Sequence, residues 1–323
     1  MVRIINNSNL CFLNSALQLL IMNENLCIDI IRQSKANEKN GVYTPSLINE
    51  IAKCIYIHYK EVDSAFNPKA LKDFIDTETT MFLEPTQHDS HECLIYLLDI
   101  LHNKLKRAYK MDTIETPKNK IEKQRNKEWK AFVENNWSPI IQEYYGQFII
   151  LSQCKECNHT KYSFEFFNDI GIEIHTYESD RLIETPKSID DGIRDNFKDE
   201  TVEMVECDGC HKKVSMLRQV SICSFPVCLL IRIKRFQYSN GNITKLNTKV
   251  DIPKVLLFND IISKQNITYN LKSVINHYGS YGGGHYTTTS FYGNQWIEYN
   301  DEHSNPNEDF SNAYVLMYQL SVG

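Results

Sequence analysis

The stretch Cys11-Phe-Leu-Asn-Ser-Ala-Leu-Gln-Leu-Leu20 predicts the first large element of the fold. Its apolar side chains recur at intervals of three and four residues, at Leu13, Ala16, Leu17 and Leu20, which is typical of one face of a helix. Ser8 or Asn9 is the predicted N-cap. Unpaired backbone N–H groups and the helix dipole favour a thiolate at such a start. Cys11 is therefore a candidate nucleophile, although a cysteine near a helix start is more often a core residue.

A second helix is predicted from about Thr86, where Thr86-x-x-Asp89 resembles a capping box. Its apolar stripe runs from Leu94 to Leu105. The following segment, 104–136, is charged and poor in apolar residues. That composition predicts a solvated helix or a mobile insertion rather than a nucleic-acid patch.

From Tyr145 onward the sequence changes to runs of β-forming residues, at 147–151, 227–236 and 312–320. The runs Tyr286–Tyr292 and Gln295–Tyr299, joined at Gly293-Asn294, predict a hairpin. A helical first third followed by a strand-rich remainder predicts an α+β fold. Any cleft is then expected between the helical part and the sheet part.

Composition excludes several classes of protein. Of the 323 residues, 42% are hydrophobic and 24% are charged, close to the averages of soluble globular proteins. No apolar run approaches the roughly 20 residues of a membrane helix, and the first residues turn polar too early for a secretory signal. A formal net charge of -6 argues against DNA or RNA as the main partner. Ten cysteines without an export signal indicate thiols and metal ligands in a reducing compartment, the cytosol and/or the nucleus.

A candidate base lies far along the chain from Cys11. His285 follows a run of glycines and precedes a strand, and Asn300-Asp301 ends the return strand of the predicted hairpin. A residue at that position can face the histidine and fix its tautomer, which completes a Cys-His-Asn or Cys-His-Asp triad. Each element also has an ordinary interpretation, as a loop or a turn. Spacing alone leaves the two interpretations about equally supported.

The metal signal is sharper. Cys154-Lys-Glu-Cys157 and Cys207-Asp-Gly-Cys210 form two Cys-x-x-Cys knuckles. Four thiolates can close a tetrahedral site with no open position, which predicts one structural zinc per chain. Two redox dithiols are the alternative, but neither pair lies in a thioredoxin-like βαβ pattern.

Together these stretches resemble the motifs of the ubiquitin-specific proteases, the large deubiquitinase family. The motifs occur in the family's order: its cysteine box (Asn6–Gln18), its Gln-Asp-Glu helix (Gln87–Leu101), its Arg-Phe strand (Ile233–Phe236), its histidine box (His277–Gly279, Gly284–Thr287 and Trp296–Asp301) and its closing strand (Asn312–Tyr318). The resemblance implies a papain-like fold built as a right hand. The implied single catalytic domain, 1–323, divides into a thumb (about 1–140), zinc-ribbon fingers (about 145–230) and a palm (about 165–175 and 226–323).

Carried over by position, the resemblance makes Cys11 the nucleophile, His285 the base and Asn300 its orienting partner. Asn6 matches an amide that binds the oxyanion. Asp301 is implied as an assistant at second hand, on a water or on the oxyanion loop, since neighbouring side chains of an extended segment point to opposite faces. Five further residues match the channel for the ubiquitin tail: Gln87, Asp89, Phe236, His277 and Tyr286. Among them, Asp89 matches a position that meets arginines of that tail.

The implied activity is thiol-dependent hydrolysis of the (iso)peptide bond after the C-terminal glycine of ubiquitin. No organic cofactor is implied, and the chain is expected to be a monomer that acts on ubiquitin and ubiquitinated proteins. Three positions depart from the family pattern: Ser8 replaces a glycine, Leu10 a threonine and His91 a glutamine. A ubiquitin-binding module with weak catalysis, a protease for another ubiquitin-like modifier or a viral-type polyprotein, and a zinc-ribbon nucleic-acid binder are the alternatives.

Overall fold

The computed structural model describes residues 2–39, 46–60, 64–83, 86–111, 117, 119–178, 181–184, 187–239, 241–260 and 262–321. Its helices are α1 (Cys11–Leu20), α2 (Glu24–Lys39), α3 (Leu47–Tyr59), α4 (Lys69–Glu78), α5 (Ser90–Leu105), α6 (Lys120–Asn136), α7 (Pro139–Tyr144) and α8 (Ile189–Asn196). All but α8 precede residue 145, and long strands follow it. The predicted α+β order is confirmed.

The strands form two large sheets and several short pairs. Their bounds are β1 (Arg3–Ile4), β2 (Ala65–Phe66), β3 (Gly146–Cys154), β4 (Thr160–Phe167), β5 (Asp169–Ile172), β6 (His175–Glu178), β7 (Arg181–Glu184), β8 (Lys187–Ser188), β9 (Glu200–Glu206), β10 (Lys213–Ser224), β11 (Cys228–Ile233), β12 (Phe236–Ser239), β13 (Asn242–Lys245), β14 (Val250–Asp251), β15 (Val255–Asn259), β16 (Asn266–Ser280), β17 (Gly283–Tyr292), β18 (Gln295–Asn300), β19 (His303–Pro306) and β20 (Ala313–Leu320). The palm sheet has the order β19-β18-β17-β16-β20-β11-β5, with β15 also paired to β16. The fingers sheet has the order β4-β3-β10-β9.

Helix α1 is the central element, packed between α5 and the palm strand β17. All ten of its residues are buried, including the polar side chains of Asn14, Ser15 and Gln18. A helix buried on every side places its polar residues against protein partners, because a buried polar group without one is costly. Because α1 packs against both the thumb helix α5 and the palm strand β17, its first residue, Cys11, lies where thumb and palm meet.

The start of α1 corrects one prediction. Leu10 occupies the N-cap without a side-chain cap, so the prediction of Ser8 or Asn9 is wrong. Asn9 has φ +53°, in the left-handed region rather than the extended region usual for an N-cap. The backbone N–H of Leu10 instead donates to Oδ1 of Asn6, four residues earlier, at 2.9 Å.

The start of α5 corrects a second one. The helix begins at Ser90, not near Thr86, and its N-cap is Asp89. Oδ1 of Asp89 accepts hydrogen bonds from the backbone N–H groups of His91 (2.7 Å) and Glu92 (3.2 Å). These bonds satisfy two of the unpaired donors of the first turn.

The predicted hairpin is confirmed as β17–β18. Its turn residues, Gly293 and Asn294, both have positive φ, at +57° and +66°. Two positive φ values are typical of a type I′ turn, whose twist matches that of the flanking strands. The turn fixes the register of the two strands, and this register brings the end of β18 beside the start of β17.

The charged segment forms a docked helix. Of its residues, 112–116 and 118 lie outside the described part of the chain. Asn119 caps α6, and Val133 on that helix is buried. Phe132 stacks on Phe166 of β4, with ring centroids 4.0 Å apart. The helical prediction is correct, but one face of the helix packs on the fingers sheet and is not solvated.

None of the helices in the described residues combines the length and apolarity needed to cross a membrane.

Candidate active site and metal centre

Cys11 lies at the first turn of α1 with 3% of its surface exposed. Its side chain hydrogen-bonds the ring of His285, which β17 brings across from the palm sheet. The helix thus supplies the thiol from one side of the cleft, and the sheet supplies the imidazole from the other.

The second ring nitrogen of His285 is held by β18. Nε2 lies 2.8 Å from Oδ1 of Asn300. An amide oxygen only accepts, so Nε2 carries a proton and Nδ1 is left to face the thiol. The hydrogen bond to Cys11 raises the pKa of His285 to about 9, and the bond to Asn300 and the charge of Asp301 add to this effect. Burial of the ring opposes it. The imidazolium is therefore the favoured form at neutral pH.

Asp301 follows the strand but does not continue it. With φ +51° it leaves the extended conformation, so the alternation of side chains along a strand does not apply to it. Its Oδ2 lies 3.9 Å from Nε2 of His285 and accepts a 2.8 Å hydrogen bond from Nδ2 of Asn6. Its Oδ1 accepts a 2.7 Å bond from Nδ2 of Asn14. The carboxylate thus binds the loop before Cys11 more closely than it binds the histidine.

Asn6 belongs to the loop of residues 5–10 between β1 and α1, called here the β1–α1 loop. Its Oδ1 accepts the N–H of Leu10, and one hydrogen of its Nδ2 is donated to Asp301. An amide nitrogen carries two hydrogens, so the bond to Asp301 uses only one of them.

A groove of about 570 Å³ lies between thumb and palm, and its lining includes Tyr286, the neighbour of His285 along β17. All five residues that the sequence suggested for a substrate channel line it: Gln87, Asp89, Phe236, His277 and Tyr286. His277 packs edge-on against Phe236, with ring centroids 5.2 Å apart, and at a 45° tilt against Tyr286, with centroids 4.6 Å apart. Burial lowers the pKa of His277 to about 4, so this histidine is neutral at physiological pH.

Two of these residues also have structural partners. Oε1 of Gln87 accepts the backbone N–H of Gly284, next to His285. Asp89, besides capping α5, accepts a 2.6 Å hydrogen bond from the hydroxyl of Tyr314 through its Oδ2. Gly284 itself is required by close packing, since a Cβ there would lie 2.1 Å from Nε2 of His277.

The four cysteines of the two knuckles meet at the tip of the fingers sheet, with ligand atoms within 4.8 Å of one another. The first knuckle joins β3 to β4 and the second joins β9 to β10. Sγ of Cys157 lies 3.6 Å from Sγ of Cys207, near the ~3.8 Å expected across a tetrahedron with metal–sulfur bonds of about 2.3 Å. The cluster can therefore hold a metal ion.

The two knuckles share one backbone design. Asn158 and His211, the residues after each pair, both have positive φ, at +59° and +54°. Backbone N–H groups approach sulfur in each knuckle, at Cys154 Sγ (3.4 Å) and Cys207 Sγ (3.3 Å). Such donors stabilise negative charge on sulfur, as a closed thiolate site needs.

Sequence reasoning missed Asn14 as a member of this site. The signal was present, because an amide within a helix otherwise made of buried apolar residues needs an internal partner. The position of that partner, 287 residues away along the chain, is visible only in the fold.

A thiol at a helix start, facing an imidazole that an amide holds, is the arrangement of Cys-His-Asn peptidases. Fold and site together define a papain-like cysteine peptidase domain. The family model described as ubiquitin carboxyl-terminal hydrolase matches residues 2–318. The chain belongs to this family.

Curated relatives are similar in sequence over nearly the whole chain. Ubiquitin carboxyl-terminal hydrolase 21 of Homo sapiens is 27% identical over 353 residues, covering 98% of this chain and 60% of that protein. Ubiquitin carboxyl-terminal hydrolase Usp2 of Drosophila melanogaster is 26% identical over 327 residues, covering 97% of this chain and 34% of that protein. The chain thus spans between about a third and three-fifths of the length of these relatives.

Solved structures share the fold. One chain of the SAGA DUB module with Ubp8, Sgf11, Sus1 and Sgf73 bound to monoubiquitin matches with a TM-score of 0.75 and 20% identity. The match covers 100% of this protein's chain and 69% of the matched chain. The same module bound to ubiquitin aldehyde matches with a TM-score of 0.73 and 19% identity, covering 100% and 70%. At these identities the likeness establishes the fold alone.

Proposed function

We propose that this chain hydrolyses the (iso)peptide bond after the C-terminal glycine of ubiquitin, through a thioester on Cys11. The observation that carries the proposal is the contact between Cys11 and His285, with Asn300 fixing the imidazole. Family membership and the ubiquitin named for the structural neighbours support the choice of substrate.

In the first half-reaction the Cys11 thiolate attacks the glycine carbonyl, and the carbon–oxygen π pair moves onto oxygen. The free N–H of Asn6 donates to this oxyanion. When the oxyanion collapses, the carbon–nitrogen bond breaks and the imidazolium of His285 gives its proton to the leaving amine. In the second half-reaction His285, now neutral, takes a proton from water, which attacks the thioester and regenerates the thiolate with a free ubiquitin carboxylate.

We assign zinc to the four-cysteine cluster, as one structural ion per chain. A closed set of four thiolates leaves no position for substrate, so the ion would stabilise the fingers and take no part in the chemistry. The need for reduced cysteines supports the cytosol and/or the nucleus as the location. We also propose the division into thumb, fingers and palm at the boundaries given above. The chain is proposed to be a monomer, which light scattering tests.

Turnover of ubiquitin carrying a fluorogenic C-terminal amide tests the function. We expect hydrolysis by the wild type, none by Cys11→Ala, and retention in Cys54→Ala, which removes a thiol that is fully buried in α3. The same amide on the tails of other ubiquitin-like modifiers is the comparison. Faster turnover of one of them would identify a protease for that modifier, and ubiquitin binding without turnover would identify a binding module.

A further inference from the structure

We propose that Asn14 is a positioning residue that aligns the Asn6 amide for oxyanion binding, an inference that rests on the function proposed above. Asn14 lies on α1 one turn after Cys11 and is not among the residues that line the groove. It acts through Asp301 and through the backbone of the β1–α1 loop.

The side-chain hydrogen bonds of Asn14 to the residues that the structure describes run through its Nδ2. This nitrogen donates to Oδ1 of Asp301 at 2.7 Å and to the backbone oxygen of Ile5 at 3.4 Å. Its Oδ1, by contrast, is buried and has no hydrogen-bond partner in the part of the chain that the structure describes. Burying an unpaired amide oxygen is unfavourable, and an apolar side chain would fill the same space without that cost. The donor end of the amide is thus what the site uses.

These bonds belong to a ring between α1 and the β1–α1 loop, which the backbone bond from the N–H of Asn14 to the oxygen of Leu10 closes at 2.9 Å. Asn14 donates to Asp301, Asp301 accepts from Asn6, and Asn6 accepts the N–H of Leu10, the residue before Cys11. The backbone oxygen of Asp301 also accepts the N–H of Ile4, at 3.0 Å. Helix, loop and strand end are therefore tied together around the nucleophile.

The ring decides which way the Asn6 amide points. An amide can exchange its oxygen and nitrogen by a half-turn, and only one orientation presents an N–H to the developing oxyanion. Leu10 requires the oxygen on its side, and Asp301 requires the nitrogen on the other. Asn14 holds the carboxylate in place, so its loss would loosen the second requirement while the Cys11–His285 pair stays intact.

Two reactions of Cys11 separate this role from a structural one. Hydrolysis of the ubiquitin amide places negative charge on a carbonyl oxygen. Alkylation by iodoacetamide does not, because sulfur attacks the methylene carbon as the carbon–iodine bond breaks and iodide leaves. A residue that serves the oxyanion affects only the first reaction, whereas a residue that merely supports the helix affects both.

We expect Asn14→Ala to lower kcat for the ubiquitin amide by about tenfold to a hundredfold, short of the full loss of an oxyanion donor. KM and the rate of Cys11 alkylation, followed by intact mass, should stay within about twofold, since neither depends on the oxyanion. Asn14→Asp, which keeps the shape but replaces the donor by a carboxylate facing Asp301, should lose at least as much kcat. Asn276→Ala is the matched control. Asn276 is also fully buried, donates one side-chain bond (to Thr289 Oγ1, 3.0 Å) and has an unpartnered Oδ1 among the described residues.

An unchanged kcat in Asn14→Ala, or equal losses in hydrolysis and alkylation, would overturn the positioning role while leaving the proposed function standing. An Asn276→Ala variant with the same loss of kcat would also overturn it. A wild type that is alkylated at Cys11 but never hydrolyses the ubiquitin amide would instead refute the proposed function, and this inference with it.

Discussion

At the scale of single residues, the choice between Asn300 and Asp301 decides how the base is oriented. Asn300 meets Nε2 of His285 at 2.8 Å, whereas the nearest oxygen of Asp301 is 3.9 Å away and is bound to Asn6. The geometry favours Asn300 as the direct partner. Asp301 then contributes through the β1–α1 loop.

Asn300→Ala should therefore lower kcat by about tenfold or more, because a misplaced imidazole is a poor base. Asn300→Asp should keep much of the activity, since a carboxylate oxygen accepts the same bond. Steady-state kinetics on the ubiquitin amide measure both, with Asn307→Ala, which loses a 2.8 Å bond to Glu298 on the same sheet edge, as the control. If Asn300→Ala matched the wild type and Asp301→Ala were inactive, the orienting role would belong to Asp301.

The charge on His285 gives a second prediction. Its pKa is raised from the ordinary 6.5 to about 9, chiefly by the bond to Cys11. Cys11→Ala should thus move the ring titration, followed by NMR, to lower pH. A raised pKa stabilises the fold fully below pH 6.5, and this contribution is lost as the pH rises toward 9. The difference in the free energy of unfolding between wild type and Cys11→Ala should therefore shrink as the pH rises from 6.5 to 9. An identical ring titration in both proteins would show that Cys11 does not interact with His285.

At the scale of elements, the start of α5 combines a cap with a channel wall. Asp89 accepts two backbone N–H groups and the Tyr314 hydroxyl, so its removal weakens the helix as well as the channel. Asp89→Ala should lower the free energy of unfolding by about 1–2 kcal/mol. Asp89→Asn keeps a capping oxygen and should lose less. Denaturant titration compares the two.

The same pair of variants separates the cap from the charge. If the carboxylate also meets a cationic residue of the substrate tail, Asp89→Asn should raise KM for the ubiquitin amide while stability stays near that of the wild type. Equal instability of Asp89→Asn and Asp89→Ala would contradict the capping role. An unchanged KM in Asp89→Asn would remove Asp89 from tail recognition.

The fingers sheet carries the cluster of four cysteines at its tip. We expect one zinc per chain by elemental analysis, and loss of the ion should unfold the tip of the fingers, because a closed thiolate site contributes folding energy. Hydrogen exchange in β3, β4, β9 and β10 should rise after chelation while α1 and α5 stay protected.

Cys154→Ser should reproduce this pattern. Cys223→Ser, which replaces a buried thiol of β10 outside the cluster, should not. Unchanged exchange in the fingers after complete removal of metal would show that the ion has no structural role.

The two helix starts illustrate what local sequence can predict. The periodicity of α1 and the Gly293-Asn294 turn are local signals, and both elements form where expected. The predicted caps are wrong because other polar residues a few positions away along the chain bind the N–H groups at each helix start. Asn6 supplies the acceptor for Leu10, and Asp89 rather than Thr86 caps α5.

At the scale of the whole molecule, the motifs predicted the fold because they are spread from one end of the chain to the other. The five channel residues, collected from both halves of the sequence, line one groove. The ring through Asn14 and the docking of Phe132 on Phe166 were not predictable, since they join side chains that are close only after folding. A composition rich in charge concealed the apolar face of α6.

Covalent trapping tests the central assignment, that Cys11 is the nucleophile of a ubiquitin hydrolase. The full chain is incubated with ubiquitin that carries a C-terminal electrophile, and intact mass is recorded for the wild type, Cys11→Ala and Cys54→Ala. We predict one ubiquitin adduct on the wild type and on Cys54→Ala, mapped to Cys11, and no adduct on Cys11→Ala. An adduct that persists in Cys11→Ala, or a folded wild type that forms none, would contradict the assignment.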